Sequence, residues 1–549
     1  MVTDHNTGAR GEWGVGLRFG LCRFSVCALG FVLTAVLEQN ALVAGARLPN
    51  IVVFLVDDLG WRDLQCYGSV FHRTPRIDEF AARSARFTQA YAACHVCSPT
   101  RASVLTGRYP ARLGLTDWLP GRRNFEFQKL RNVETLQQLP LSEVTIAEVL
   151  REHGYRTAHI GKWHLGEDPS GPLQQGFEVR VPKWNKGWPK TGFHGPFELE
   201  GLPSHPGEYL TDRLTDEAEK FMELHRDEPF FLYFSHFAVH DPIEGRVDLL
   251  EACESRKASL PAWSGPGYIL EGNPDDREPL SRAALTAMAG RAEWSGHSVL
   301  PQRTVKIRQR QDNVQFAAMV AALDESFGRV VDSLKRLGLE QDTIVLLCSD
   351  NGGMSAANFG RPGRRIGAEE LDAAYSTSNL PLRAGKGWLY EGGIRVPLIV
   401  HAPNGCRGVE CDQPVISNDF FPTILELCGL PLCPDLHCDG VSFAGLVHAG
   451  GTVPDRESLY WHFPHYSNHG MQSPSGAVRC GDFKLIEYFE EHTVQLFNLR
   501  EDPGEQTDLA GVQPGRVAEL RERLHRWRTD VGARMPELNP DYREEVKSR

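Results

Sequence analysis

The sequence predicts an α/β fold: a large, mainly parallel central sheet between helices, followed by a small C-terminal antiparallel sheet with a helix. Three observations predict it. Two continuous apolar runs, Asn50-Ile51-Val52-Val53-Phe54-Leu55-Val56 and Thr343-Ile344-Val345-Leu346-Leu347-Cys348-Ser349, have the length and β-branched content of strands buried on both faces. Helical stretches such as residues 145–153 and 314–337 alternate with short strands such as residues 229–235. Near the C-terminus, strand-like segments at 458–462, 475–479, 483–488 and 494–498 precede one helical stretch at 515–531.

At the amino end, Arg18 and Arg23 precede an apolar run at 24–37, short for a membrane span and suited to the core of a signal peptide. Glu38 closes the run and Ala44-Gly45-Ala46 reads as a cleavage site, so residues 1–46 are assigned to a signal peptide. Cys27 lies inside the run, which argues against a lipid anchor. No Asn-x-Ser/Thr acceptor occurs, which fits an exported bacterial protein, periplasmic or secreted, with no stable membrane anchor. Residues 47–450 are read as a catalytic domain and 451–549 as a C-terminal subdomain. Residues 244–311, polar and irregular around Trp263-Ser264-Gly265-Pro266-Gly267, read as an insertion near the mouth of a site. A further strand at 396–401 leads through Pro403-Asn404-Gly405 to a helical stretch at 419–428.

Composition narrows the function. The 549 residues are 41% hydrophobic and 24% charged, a globular balance rather than a disordered one. With 59 basic and 71 acidic side chains the net charge is -12, which excludes the basic footprint of a nucleic-acid binder. An anionic substrate then requires a local cationic cluster or a metal. Of 13 cysteines, Cys22 and Cys27 fall in the leader and the rest form no repeated C-x-x-C pattern, against a structural zinc site. Cys406 with Cys411, and Cys428 with Cys433 and Cys438, are disulfide candidates of open connectivity, with free buried thiols as the ordinary alternative.

Both long strands end in acidic loops, Asp57-Asp58-Leu59-Gly60 and Asp350-Asn351-Gly352-Gly353, where ligands gather in such folds. Taken alone, such an acidic pair is ordinarily a solvated loop or a helix cap. The most informative stretch is His95-Val96-Cys97-Ser98-Pro99-Thr100-Arg101-Ala102-Ser103-Val104-Leu105-Thr106-Gly107-Arg108. Pro99 suits a first helical turn, which places Cys97 just before a helix amino terminus, where free N–H groups favour an anion. Arg101 adds charge one turn along. A lone Cys-x-Pro is ordinarily a structural cysteine; the wider pattern overrides that.

C-x-P-[ST]-R followed by a small-residue helix and Thr-Gly-Arg resembles the signature of the formylglycine-dependent (type I) sulfatases. Gly154-Tyr155-Arg156-Thr157-Ala158-His159-Ile160-Gly161-Lys162-Trp163-His164 resembles the second signature of that family. The likeness runs along nearly the whole mature chain and is nearest to the arylsulfatase A and N-acetylgalactosamine-6-sulfatase branch, whose fold belongs with the alkaline phosphatases. It implies a sulfuric ester hydrolase in which Cys97 is converted by a maturation enzyme to 3-oxoalanine (formylglycine), whose hydrate attacks sulfur. It implies a metal, Ca2+ before Mg2+, held by Asp57, Asp58, Cys97 as its hydrate, Asp350 and Asn351. Arg101 and Lys162 would polarise the hydrate, and His164 would take the proton whose loss expels sulfate. Lys386, in Leu382-Arg383-Ala384-Gly385-Lys386-Gly387, resembles the sulfate-binding lysine, and His240, in His236-Phe237-Ala238-Val239-His240-Asp241-Pro242, the substrate histidine. Either would protonate the leaving oxygen.

For the substrate, a sulfated saccharide or aryl sulfate, Trp118, Arg395, His462 and His465 are candidates to line a sugar subsite, with packing between domains as the equal alternative. Two other functions compete: a phosphate ester or phosphonate hydrolase of the same superfamily, and a secreted glycan-binding protein without turnover.

Overall fold

The two apolar runs pair directly. Asn50–Val56 lies parallel to Thr343–Ser349, from Asn50 opposite Thr343 to Val56 opposite Ser349, and parallel to Phe230–Ser235 on its other side. All residues of the three strands are buried, which explains the absence of polar alternation in their sequences. The structure, a computed structural model, describes residues 47–276, 278–289, 291, 299–300, 304–358, 366–448, 455–470 and 472–543. The leader at 1–46 lies outside the described residues, as do Cys22 and Cys27.

The central sheet runs in the order Val409–Cys411, Ala85–Tyr91, Arg395–His401, Thr343–Ser349, Asn50–Val56, Phe230–Ser235, Arg156–Gly161, Val179–Val181, with Val415–Ile416 also on Ala85–Tyr91. Only Arg395–His401 runs against its neighbours. It is entered from the one-turn helix Glu391–Ile394 at the carboxyl edge of the parallel strands, so without a crossover it must return antiparallel. The 23-residue helix Val314–Arg336 is capped by the Asn313 side chain and lays Phe316, Val320, Leu323 and Phe327 on the sheet. Phe327 meets Phe54 edge-on at 5.1 Å.

The C-terminal sheet is antiparallel in chain order: Ser458–Phe463, Ser475–Cys480, Phe483–Tyr488 and Val494–Asn498. The helix Pro514–Asp530 packs on it through Leu520, Leu524 and Trp527, and this core is continuous with Tyr91, Trp388, Tyr390 and Ile394. Lys484 also reaches across, buried between Glu391 at 3.0 Å and Glu505 at 2.8 Å.

Two expectations are corrected. Residues 244–311 are not simply irregular: they contain the helix Val247–Ser259 and strands Tyr268–Glu271 and Thr304–Arg308, paired antiparallel. This segment also binds the C-terminal half, while its first residue, Glu244, lines the cavity described below. Asp275 accepts from the Glu490 and Glu491 amides, and Glu271 forms an ion pair with Arg383 at 2.6 Å. The second concerns the cysteines: all eleven among the described residues are free thiols, including Cys406, Cys411, Cys428, Cys433 and Cys438.

Candidate active site

The carboxyl ends of adjacent strands deliver one cluster. Asn50–Val56 ends at Asp57 and Asp58, Thr343–Ser349 at Asp350 and Asn351, Arg156–Gly161 at Lys162 and His164, and Phe230–Ser235 leads to His240. Gly161 makes the close approach possible. It has φ +105°, and a Cβ there would sit 1.8 Å from the Ser235 carbonyl oxygen. Cys97 is the first residue of the helix Cys97–Thr106, one position later than the expected place before it, with Pro99 still in the first turn. Asp58 and His164 hold positive φ values of 61° and 58°, backbone strain of the kind that collects at functional sites.

Every charge in the cluster is paired. The Lys162 Nζ donates to Asp57 Oδ2 at 2.6 Å and the Lys386 Nζ to Asp58 Oδ2 at 2.7 Å. Arg101 grips Asp350 Oδ2 through Nε at 2.9 Å and Nη2 at 2.7 Å, and also donates to the Lys162 carbonyl and the Ser235 hydroxyl. Asn351 Nδ2 donates to Asp58 Oδ1 at 2.7 Å. Burial pushes the Asp57 carboxyl up to about 6 against the pull of Lys162. At Asp58 burial acts the same way, but Lys386 and His240 outweigh it and hold the carboxyl below its usual range. Ligand atoms of Asp57, Asp58, Cys97 and His240 all lie within 4.8 Å of one another.

The two histidines differ in their settings. His164 is buried, and its Nε2 lies 2.7 Å from the Leu119 carbonyl, which only accepts, so the ring proton sits on Nε2 and Nδ1 is left as a bare acceptor. Ser98 fixes this arrangement by donating to the His164 carbonyl and accepting from the Leu119 amide. Burial, with Lys162 nearby, holds the imidazole well below its ordinary range. His240 moves the other way: against burial and Lys386, Asp241 at 2.6 Å and Asp58 at 3.7 Å raise it. Asp241 lay inside a quoted motif yet was not singled out, because only the fold shows it facing His240.

Above the cluster opens a cavity of about 760 Å³. Cys97, His164, His240 and Lys386 line its floor, with Trp118, Arg122, Arg123, Phe125 and Trp188 among its walls. Three sequence candidates are not brought there. Arg395 donates to the Thr88 carbonyl and lies over the Trp61 ring, His462 bonds the Arg534 carbonyl, and His465 bonds the Thr116 hydroxyl. All three are held by packing between elements. Trp188 and His469 line the cavity without having been singled out from the sequence, since neither sits in a motif.

A family model described as sulfatase matches residues 49–430. The chain belongs to the sulfatase family. A second model, of the C-terminal part of N-sulphoglucosamine sulphohydrolase, matches residues 384–530 of this sulfatase. Human arylsulfatase A is 29% identical over 525 residues, covering 90% of each chain, and mouse N-acetylgalactosamine-6-sulfatase is 28% identical over 531 residues, covering 88% of this chain and 87% of that one. In fold it is similar to Ps i-CgsB in complex with k-i-k-neocarrahexaose (TM-score 0.66, 24% identity, 91% of this chain and 96% of the other). It is also similar to BT4656, solved with its substrate D-glucosamine-2-N,6-O-disulfate (TM-score 0.63, 22% identity, 90% and 99%). The sulfatase is thus an enzyme of the arylsulfatase-like group, on the fold expected of it.

Proposed function

We propose that this sulfatase hydrolyses a sulfate monoester on a sulfated saccharide to the alcohol and inorganic sulfate, using Cys97 as formylglycine and a bound calcium ion. The observation that carries the proposal is the buried meeting of Cys97 with Asp57, Asp58 and His240 at the floor of a cavity large enough for a sugar ring.

The residues fit a hard cation. Asp57 Oδ1 and Asn351 Oδ1 are buried and make no hydrogen bond, although every other charged group around them is paired. Asp57 Oδ1 has only the Arg101 guanidinium at 3.6 Å, beyond hydrogen-bond reach, and two such unsatisfied buried oxygens are costly unless a further positive group meets them. Asp57, Asp58, Asp350 and Asn351 would hold the ion, which when bound supplies positive charge against the sulfuryl oxygens. Cys97, once converted to hydrated formylglycine, would supply the attacking hydroxyl and a second hydroxyl whose deprotonation would free sulfate.

The remaining roles belong to side chains already placed. Arg101, clamped on Asp350, keeps a fixed positive charge one helical turn from Cys97. Lys162 and Lys386, each on a carboxylate, offset negative charge at the reacting centre without reorganising. His240 or Lys386 delivers the proton to the leaving oxygen. His164 accepts the later proton at its bare Nδ1.

The saccharide assignment is supported by the aromatic walls Trp118, Phe125 and Trp188, and by the two fold neighbours solved with k-i-k-neocarrahexaose and with D-glucosamine-2-N,6-O-disulfate. Export after removal of residues 1–46, and maturation of Cys97 by a separate enzyme, complete the proposal. Among the described residues no helix is long and apolar enough to cross a membrane.

The test is sulfate release from 4-nitrophenyl sulfate and a panel of sulfated monosaccharides, with protein whose residue-97 peptide mass confirms the aldehyde. Release from one sugar class establishes the activity. No release from aldehyde-bearing, calcium-loaded protein overturns it.

A further inference from the structure

Among the described residues, one polar side chain on the cavity wall has no hydrogen-bond partner. His469 lies in the loop between Ser458–Phe463 and Ser475–Cys480, is 4% exposed, lines the cavity, and has both ring nitrogens without a hydrogen bond. Leaving two buried ring nitrogens unpaired costs free energy that folding does not recover, so a ligand is the ordinary explanation for such a group beside a cavity. Its neighbour Asn468 also lines the cavity.

The loop is held close to the sulfuryl end of the site. The Ser467 hydroxyl donates to the His469 carbonyl at 2.8 Å and accepts from the His469 amide at 3.1 Å, and Arg122 donates to the Ser467 carbonyl. Gly387, the residue after Lys386, packs so tightly on it that a Cβ would lie 2.5 Å from that of His469. His469 and Lys386 therefore line one cavity from neighbouring backbone positions.

The chemistry of the pair selects the partner. A buried imidazole beside Lys386 stays neutral, offering one donor and one acceptor, and a carboxamide offers the same. Sulfuryl oxygens only accept, and so does an aromatic ester oxygen. A sugar hydroxyl both donates and accepts. We propose that His469, with Asn468, reads the ring hydroxyl nearest the sulfate ester, and so makes the C-terminal subdomain the part of the chain that distinguishes a sulfated sugar from other sulfate esters. This rests on the saccharide reading above.

The experiment compares wild type, His469→Ala and His469→Gln as aldehyde-bearing, calcium-loaded full-length protein. Substrates are 4-nitrophenyl sulfate, N-acetylgalactosamine 4-sulfate and 6-sulfate, and D-glucosamine-2-N,6-O-disulfate, with inorganic sulfate as inhibitor. His469→Ala should lower kcat/KM on the sugar cleaved by wild type by roughly 10-fold, the worth of one neutral hydrogen bond. It should leave 4-nitrophenyl sulfate turnover and the inhibition constant of sulfate within twofold. His469→Gln, which keeps a donor and an acceptor, should recover most of the loss. An equal loss on the aryl ester, or weaker sulfate inhibition, overturns the proposal by making His469 a sulfuryl or structural residue. So does an unchanged sugar rate. Wild-type turnover of the aryl ester with none of the sugars defeats this inference and leaves the sulfatase chemistry standing, whereas no turnover of any ester defeats both.

Discussion

Gly187 offers a direct test of the base role proposed for His164. Nothing but hydrogen occupies its Cα side facing the imidazole, and a Cβ added there would lie 2.4 Å from His164 Cε1 and 2.7 Å from Nδ1. Ordinary carbon contacts begin near 3.5 Å, so Gly187→Ala demands a displacement of about 1 Å. The ring resists it, because Nε2 is held on the Leu119 carbonyl and the His164 carbonyl on Ser98. A misplacement of that size at a catalytic group costs roughly 100-fold in rate, while the overpacking costs about 1–3 kcal/mol of stability. If His164 serves the step that frees sulfate, kcat and KM should fall together, and rapid mixing with 4-nitrophenyl sulfate should give one equivalent of 4-nitrophenol before slow turnover. The measurements are burst amplitude, steady-state kcat and KM, and Tm. Retention of kcat within twofold by both Gly187→Ala and His164→Gln would refute the base assignment, and so would a loss confined to KM.

Further outcomes follow from the same geometry. Cys97→Ala should abolish sulfate release while circular dichroism and Tm stay near wild type, because the change removes one sulfur atom from a cavity floor and Cys97 belongs to none of the apolar clusters among the described residues; unchanged release would sink the mechanism. Calcium at 100 times its dissociation constant should stabilise wild type by about 2.7 kcal/mol, read as a rise in Tm that EDTA reverses. Asp350→Asn should shrink that rise, and an identical calcium-dependent shift in the variant would remove Asp350 from the ligand set. Lys162→Met should leave Asp57 buried without its 2.6 Å partner and lower stability by about 3–5 kcal/mol in calcium-free buffer, measured by urea unfolding. A variant as stable as wild type would show that Asp57 sheds its charge instead.

Much of the site was legible because its chemistry is carried by short contiguous runs. Cys97 and Arg101 share one helical turn, Asp57 and Asp58 end one strand, and Asp350 and Asn351 end another. Such runs survive as patterns because a strand end or a helix start positions its residues locally, whatever lies around it. The buried parallel strands were legible for a similar reason, since burial on both faces leaves an unbroken apolar run.

What the sequence by itself determined is therefore the fold class, the family signature around Cys97 and the acidic strand ends. What only the tertiary structure decided is which distant residues share the cavity. Arg395, His462 and His465 have the right side chains for a sugar subsite but spend them on backbone and hydroxyl partners elsewhere, whereas His469 and Trp188 reach the cavity from segments with no motif. The insertion at 244–311 touches the cavity at Glu244 and fastens to Arg383 and the 490–493 turn, contacts that its sequence does not reveal. Hydrogen-bonding capacity is written in a residue's type, but its partner is set by long-range packing, which couples positions hundreds of residues apart and leaves no local trace.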